Sequence, residues 1–225
     1  KEKQMTKEAK ILIGIAVVVV IGGILLAIYA NPKPAEPGAP VDQQSLIRET
    51  SHMTKAATAK VNIVEFGDYQ CPGCAAAHPI LKEIVEQYKD NPDVNFVFRN
   101  YPLDAIHPNA HISAEAAEAA AKQGRFWEMH DMIYEKQAEW STLPDPSGKF
   151  SEYAGLLGLN LTEFNAGVSQ RLFSDIIKAD TDDGKALGVE GTPTFYINGV
   201  LFAPKPGSIP GLDDFKKKID EELAK

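Results

Sequence analysis

Cysteine is scarce in this sequence, and that scarcity excludes several kinds of protein. The 225 residues contain two cysteines, Cys71 and Cys74, which are too few for a small domain built on a disulfide scaffold. There is also no second C-x-x-C pair to complete a four-cysteine zinc site. A cysteine protease would use one nucleophile and a distant histidine, which would leave the second cysteine unexplained.

The chain also has fewer basic than acidic residues. The chain has 23 lysines and arginines against 31 aspartates and glutamates, a formal net charge of −8. Nucleic-acid-binding proteins usually present a basic face to the phosphate backbone. The charge balance therefore argues against a nucleic-acid partner.

Residues 11–30 form an apolar run without a single charge. A helix of that length spans about 30 Å, the thickness of the hydrocarbon core of a bilayer. A cleaved signal peptide is the alternative, but its apolar region is usually shorter, about 7–15 residues. We therefore predict a transmembrane anchor.

The flanks of this run predict its orientation. Four lysines lie in residues 1–10 and only Lys33 follows closely, so the positive-inside rule makes residues 1–10 a cytoplasmic tail. The proline-rich residues 31–57 are predicted to be an extended linker. Residues 58–225 would then form an extracytoplasmic domain of a single-pass cell-membrane protein, in an oxidising compartment.

The two cysteines are spaced C-x-x-C at a predicted strand-to-helix turn. Residues 61–66 have the pattern of a buried strand and residues 75–88 that of a helix, so Cys71 would lie at the helix start. Free backbone N–H groups and the helix dipole stabilise a thiolate there, and such cysteines have pKa values of about 3.5–7.5. A redox-active pair is the preferred interpretation, and a structural disulfide or a metal-binding pair are the alternatives.

The rest of the domain alternates between strand and helix patterns. A second strand is predicted over residues 94–99, and its short connection through a helix implies a parallel βαβ unit. Residues 107–187 have a helical pattern, whose histidines we interpret as surface or packing residues. Two short strands meet at Asn198-Gly199, a strong hairpin signal, and an amphipathic helix covers residues 213–223.

Glu65 is a carboxylate in an otherwise apolar strand. If it is buried near Cys74, its pKa would be raised and it could exchange a proton with that thiol. The alternative is a solvated carboxylate at the end of the sheet.

This order of elements resembles the thioredoxin fold, of the α/β class, and its helical insertion at about residues 107–187 is similar to that of the DsbA-like thiol:disulfide oxidoreductases of the bacterial envelope. The resemblance covers roughly residues 55–225. It is carried by EFGDYQCPGC, HPILKEIVEQY, FWEMHDMIYE and GTPTFYING. Its most specific part is the C-x-x-C followed by T-P-T-F about 120 residues later.

The resemblance implies roles at individual positions. Cys71 would be the exposed, attacking thiol and Cys74 the resolving thiol, while Glu65 matches the buried acidic residue of the family. Pro193 would follow a cis peptide bond and lie opposite Cys71. The backbone of Thr192 would then pair with an extended client peptide.

Pro72 and Gly73 separate the cysteines and would also line the client-binding surface. The family often has a histidine or another bulky residue where this chain has Gly73. Because glycine offers no side-chain donor or charge, we expect a milder oxidant.

The sequence therefore predicts a membrane-tethered oxidase that donates its Cys71–Cys74 disulfide to reduced secreted or envelope proteins. The reaction needs no bound metal or organic cofactor, and the resemblance implies reoxidation by a quinone-linked membrane partner. A reductase or isomerase with the same site is one alternative. A non-catalytic chaperone or interaction module with a structural disulfide, and a metal-delivery protein, are the others.

Overall fold

A single five-stranded sheet organises the fold. The structure, a computed structural model, describes residues 40–205 and 207–225. The strand order is β1-β3-β2-β4-β5, and the strands are β1 (His52–Met53), β2 (Val61–Gly67), β3 (Val94–Asn100), β4 (Thr194–Ile197) and β5 (Val200–Leu201). The helices of the described residues are α1 (Gln43–Leu46), α2 (Pro72–Gln87), α3 (Ala110–Ala121), α4 (Phe126–Glu135), α5 (Gln137–Trp140), α6 (Ser147–Leu156), α7 (Leu161–Ser169), α8 (Ser174–Ala186) and α9 (Leu212–Leu223).

The two central strands are buried along their whole length, as their apolar sequences predict. Strands β2 and β3 run parallel, with Val61 opposite Val94 and Gly67 opposite Asn100. Helix α2 connects them, which confirms the predicted βαβ unit. The turn that carries the C-x-x-C therefore leaves the sheet at the carboxyl end of β2.

Strand β4 lies antiparallel to β2 on the other side, with Thr194 opposite Phe66. This register places the loop before β4 next to the turn that follows β2. The β4–β5 hairpin is confirmed, because Asn198 and Gly199 both have positive φ, at 49° and 83°, as a two-residue hairpin of the favoured type requires. The fold is thus the predicted thioredoxin-like α/β arrangement.

The insertion between β3 and β4 is helical, as predicted, and comprises α3 to α8. Its central element is the alanine-rich helix α3, which is buried at nine of its twelve positions. Small side chains allow neighbouring helices to approach closely, and α3 packs against both α4 and α7. The alanine run thus reflects the packing of the insertion core.

The carboxyl part of the predicted linker, residues 31–57, is folded onto the domain. Leu46 is only 1% exposed, and β1 pairs antiparallel with β3 through His52 and Phe98. The backbone N–H of Val41 donates to the carbonyl of Gly199 at 2.8 Å. A strand of two residues has no alternating pattern to detect, because its partner and not its own sequence determines it.

The predicted anchor at residues 11–30 and the tail at residues 1–10 lie outside the described residues. Across residues 40–205 and 207–225, none of the helices combines the length and the apolar character that a membrane span requires.

Gly184 in α8 provides a test of the packing between the insertion and the sheet. A Cβ at this position would lie 2.6 Å from Cε2 of Tyr101. The Tyr101 ring cannot easily retreat, since its hydroxyl donates to the carbonyl of Val189 at 2.7 Å. We predict that Gly184→Ala lowers the free energy of unfolding by about 1–3 kcal/mol through overpacking, measured by urea denaturation.

Gly155→Ala is the matched control, because Gly155 is also helical but its nearest neighbour, Leu161 Cδ2, would be 4.0 Å from the new Cβ. That variant should be as stable as the original or up to about 1 kcal/mol more stable. Equal stability of the two variants would contradict the tight contact at Gly184.

Candidate active site

Cys71 begins helix α2 and faces the loop before β4. It is the N-cap residue, with extended backbone angles, and Pro72 occupies the first helical position, where its missing N–H costs little. Cys71 Sγ lies 3.3 Å from the carbonyl oxygen of Thr192 and donates to it as a thiol. The Thr192–Pro193 bond is cis. The structure therefore brings Cys71, Thr192 and Pro193 together, as the resemblance implied.

The two thiols differ in accessibility, but less than expected. Cys71 is 8% exposed, whereas Cys74 is fully buried. The expectation of an openly exposed Cys71 is therefore wrong, because the loop that carries Thr192 lies against its sulfur. Cys71 is nevertheless the outer of the two sulfurs.

Gly73 has a role that the sequence did not indicate. A Cβ at this position would lie 3.2 Å from Cδ of Pro193 and 3.5 Å from Sγ of Cys71. The contact with Pro193 is tight, so a residue with a Cβ would push the cis-proline loop away by a few tenths of an ångström, whereas the distance to the sulfur is an ordinary van der Waals contact. Glycine thus permits the close approach of this loop to the helix start, in addition to removing a side-chain donor.

The site lowers the pKa of Cys71 and raises that of Cys74. A hydrogen bond from the Cys74 thiol, helped by the backbone N–H groups of Gly73 and Cys74, lowers the pKa of Cys71 to about 5 against the opposing effect of partial burial. Burial, followed by its interaction with Cys71, raises the pKa of Cys74 well above its ordinary value. The reduced pair therefore holds one negative charge at neutral pH, on Cys71.

Glu65 is buried, at 1% exposure, so a solvated position at the end of the sheet is excluded. Burial, followed by the charge on Cys71, raises the pKa of Glu65 to about 8. Among residues 40–205 and 207–225, its Oε1 has no hydrogen-bond partner. Glu65 also raises the pKa of Cys74, so the two groups are close enough to interact electrostatically.

Asp68 and His107 belong to the surroundings of the cysteines, although the sequence analysis did not select them for this site. The backbone N–H of Asp68 donates to Cys74 Sγ at 3.5 Å, and its carboxylate lies 2.7 Å from Nδ1 of His107. The same carboxylate accepts from the backbone N–H groups of Gln70 and Leu103. The acidic run before the C-x-x-C was a signal for Asp68, but His107 reaches it only through the tertiary fold.

The helical insertion also holds the turn. The Gln137 side chain donates to the carbonyls of Tyr69 and Cys71, at 2.7 and 3.1 Å. The Cys71 carbonyl also accepts from the backbone N–H of Ala75 at 3.1 Å, so Gln137 adds a second bond there and links the insertion to the turn. The insertion thus contributes to the position of the catalytic turn itself.

A groove begins beside Gly73 and runs along the cis-proline loop. Its volume is about 670 Å³, and it is lined by apolar and backbone groups, among them Pro193, Phe195, Phe202, Ile209 and Pro210. An extended peptide could lie in such a groove with its backbone next to Thr192.

Comparison with known proteins agrees with this geometry. The thioredoxin family model matches residues 48–221. The chain belongs to the thioredoxin family. It is also 32% identical over 224 residues to the probable disulfide bond formation protein D of Bacillus anthracis, covering 96% of this chain and 95% of that protein. This full-length relative confirms the predicted resemblance to DsbA-like thiol:disulfide oxidoreductases.

Part of the chain also matches much longer proteins. It is 38% identical over 151 residues to the Na(+)/H(+) antiporter NhaA 3 of Salinispora tropica, and the match covers 67% of this chain but 22% of the antiporter. The chain therefore spans about a fifth of the length of these antiporters.

Solved structures show the same fold. BdbD from Bacillus subtilis, in its oxidised form, superposes with a TM-score of 0.70 at 24% identity, covering 86% of this chain and 100% of that structure. The α-DsbA1 protein of Wolbachia pipientis has a TM-score of 0.69 at 22% identity, covering 80% and 94% of the two chains.

The acidity of Cys71 leads to a direct prediction. In the reduced protein, the ultraviolet absorbance of the thiolate should appear as pH rises through about 5 and disappear as pH falls through it. Cys71→Ser should abolish this step. Cys74→Ala should move the midpoint upward, because the hydrogen bond from Cys74 is the largest cause of the low pKa. If the midpoint does not move in Cys74→Ala, the helix start alone would account for the low pKa of Cys71.

Glu65→Gln tests the buried carboxyl group. Because the folded-state pKa of about 8 lies above the ordinary 4.5, the original protein loses stability as pH rises between these values, whereas the variant does not. The variant should therefore gain a few kcal/mol relative to the original as pH rises from about 4.5 to about 8, measured by urea denaturation. Its rate of disulfide exchange should fall by about tenfold or more. An identical pH dependence of stability in both proteins would show that folding does not raise the pKa of Glu65.

Proposed function

We propose that this chain is a thiol:disulfide oxidase that transfers its Cys71–Cys74 disulfide to reduced client proteins. The observation that carries the proposal is the position of the two sulfurs: Cys71 lies at the helix start and Cys74 is fully buried behind it. This arrangement lowers the pKa of Cys71 and raises that of Cys74. A stabilised thiolate at Cys71 favours the reduced form of the pair, and a pair whose reduced form is stabilised is a stronger oxidant.

The transfer takes two exchange steps. A client thiolate attacks Sγ of Cys71 in the disulfide, which breaks the S–S bond and releases Cys74 as a thiolate. Cys74 then takes a proton, because burial disfavours its charge, and we assign the neutral carboxyl of Glu65 as the proton donor.

In the second step, another client thiolate attacks the client sulfur of the mixed disulfide. Cys71 leaves as a thiolate, and its pKa of about 5 makes it a good leaving group. The client gains a disulfide, and the Cys71–Cys74 pair gains two electrons. Glu65 regains its proton from the solvent.

Client binding is assigned to the surface around the cis-proline loop. Once Cys71 is in the disulfide, the Thr192 carbonyl is free to accept a hydrogen bond from a client backbone. Pro72 and Gly73 would contact the client on the helix side, and Pro193 on the loop side. This mode selects an extended backbone and little side-chain sequence, which suits an enzyme with many clients.

We further propose that the domain works outside the cytoplasm on reduced secreted or envelope proteins. Residues 11–30 would tether it to the cell membrane, with residues 1–10 in the cytoplasm, and residues 31–40 would act as the spacer. The reduced pair would be reoxidised by a quinone-linked membrane partner. The charge asymmetry around the apolar run and the oxidising chemistry support this arrangement.

The proposal predicts that the oxidised protein introduces disulfides into a reduced, unfolded model protein. Replacing both Cys71 and Cys74 by serine should abolish this activity, and Gly155→Ala should leave it unchanged. In equilibrium with a glutathione buffer, the reduction potential should lie nearer about −120 mV than about −270 mV. A value near −270 mV would favour a reductase, and activity that persists in the double variant would favour a non-catalytic client-binding module.

A further inference from the structure

A second cluster of chemically versatile side chains lies where α2 packs against α4. His78, one turn beyond Cys74, meets His130 and Asp131 of α4, and one ligand-type atom of each lies within 4.8 Å of the others. His78 and His130 are 6% and 3% exposed, whereas the Asp131 side chain is 33% exposed. The cluster is therefore largely buried, with one side reaching the surface.

His78 has a buried nitrogen without a hydrogen bond. Among residues 40–205 and 207–225, its Nε2 finds no hydrogen-bond partner, a deficit that usually costs about 1–3 kcal/mol. Asp131 Oδ1 lies 3.5 Å from this nitrogen. Two ligands of one tetrahedral zinc ion, each at about 2.0–2.2 Å from the metal, are themselves about 3.4 Å apart. The pair is already at the separation that a shared metal ion requires.

His130 is prepared to act as a third ligand. Its Nδ1 lies 3.0 Å from the hydroxyl of Tyr69, which leaves Nε2 available, and metal-bound histidines are usually oriented by such a second bond. Phe98, Trp127 and Tyr134 pack around the ring.

The cluster has an entry path and holds a cation nearby. It forms one wall of a groove of about 420 Å³ that also includes Lys82 and Trp127. Lys82 Nζ lies 2.8 Å from Asp131 Oδ2 and 2.6 Å from Glu135 Oε1. Because the Lys82 side chain is 49% exposed, it can move away into solvent, where Glu135 can still pair with it.

We propose that His78, His130 and Asp131 bind one divalent transition-metal ion, with zinc as the best fit and water as the fourth ligand. Two imidazole nitrogens and one carboxylate suit zinc and its neighbours, whereas calcium and magnesium prefer oxygen ligands alone. The ion would join α4 of the insertion to the active-site helix. It takes no part in the exchange at Cys71.

Zinc titration of the oxidised protein tests this site, because the disulfide removes the two thiols as competing ligands. Calorimetry should show one Zn²⁺ per chain, and Co²⁺ in its place should give the visible absorption of a nitrogen- and oxygen-liganded ion. His78→Gln and Asp131→Asn should each weaken zinc binding by about tenfold or more. Asp131→Asn is the more reliable variant, since its side chain is partly exposed, and circular dichroism checks that both variants fold.

Two further variants separate a metal site from a network of ion pairs. Lys82→Gln should tighten zinc binding several-fold, because it removes the cation that competes for Asp131. His111→Gln is the matched control, a histidine of α3 outside the cluster, and should leave the affinity unchanged. Absence of zinc binding in both the original protein and Lys82→Gln would overturn the proposal, as would an affinity that Asp131→Asn does not change.

Discussion

The antiparallel pairing of β4 with β2 is the constraint on which the site depends. Its register sets Thr194 opposite Phe66, so the residues just before β4 meet those just after β2. The result is the 3.3 Å approach of Cys71 Sγ to the Thr192 carbonyl. A shift of one residue in this register would turn the buried side chains of β4 to the opposite face, and the loop would no longer meet the helix start.

Where this loop meets the helix start, three groups that can each lose a proton have shifted pKa values. The helix start and the Cys74 thiol stabilise a negative charge on Cys71. Burial disfavours a charge on Cys74 or Glu65. The negative charge is therefore held on the outer sulfur, while the two inner groups keep their protons, and such perturbed pKa values are typical of functional sites.

A buried arginine joins the insertion to the sheet. Arg99 of β3 is fully buried and forms ion pairs with Asp180 and Asp183 of α8, both at 2.6 Å. Its third contact is the carbonyl of Leu46, so the same side chain also holds the segment before β1. Such a buried charge is tolerable only because its donors are paired. The insertion also contacts the turn that carries Cys71, because the Gln137 side chain donates to the Cys71 carbonyl.

The local sequence pattern was sufficient to predict the elements whose structure is set by neighbouring residues. The apolar run of β2, the C-x-x-C at the start of α2 and the Asn198-Gly199 turn each depend on neighbouring residues, and each was predicted correctly. The tertiary structure alone decided what depends on distant contacts. Strand β1 exists because β3 offers a partner, and Gly73 matters because Pro193 approaches it. His78 meets His130 and Asp131 only because two helices pack together, and no spacing along the chain encodes that contact.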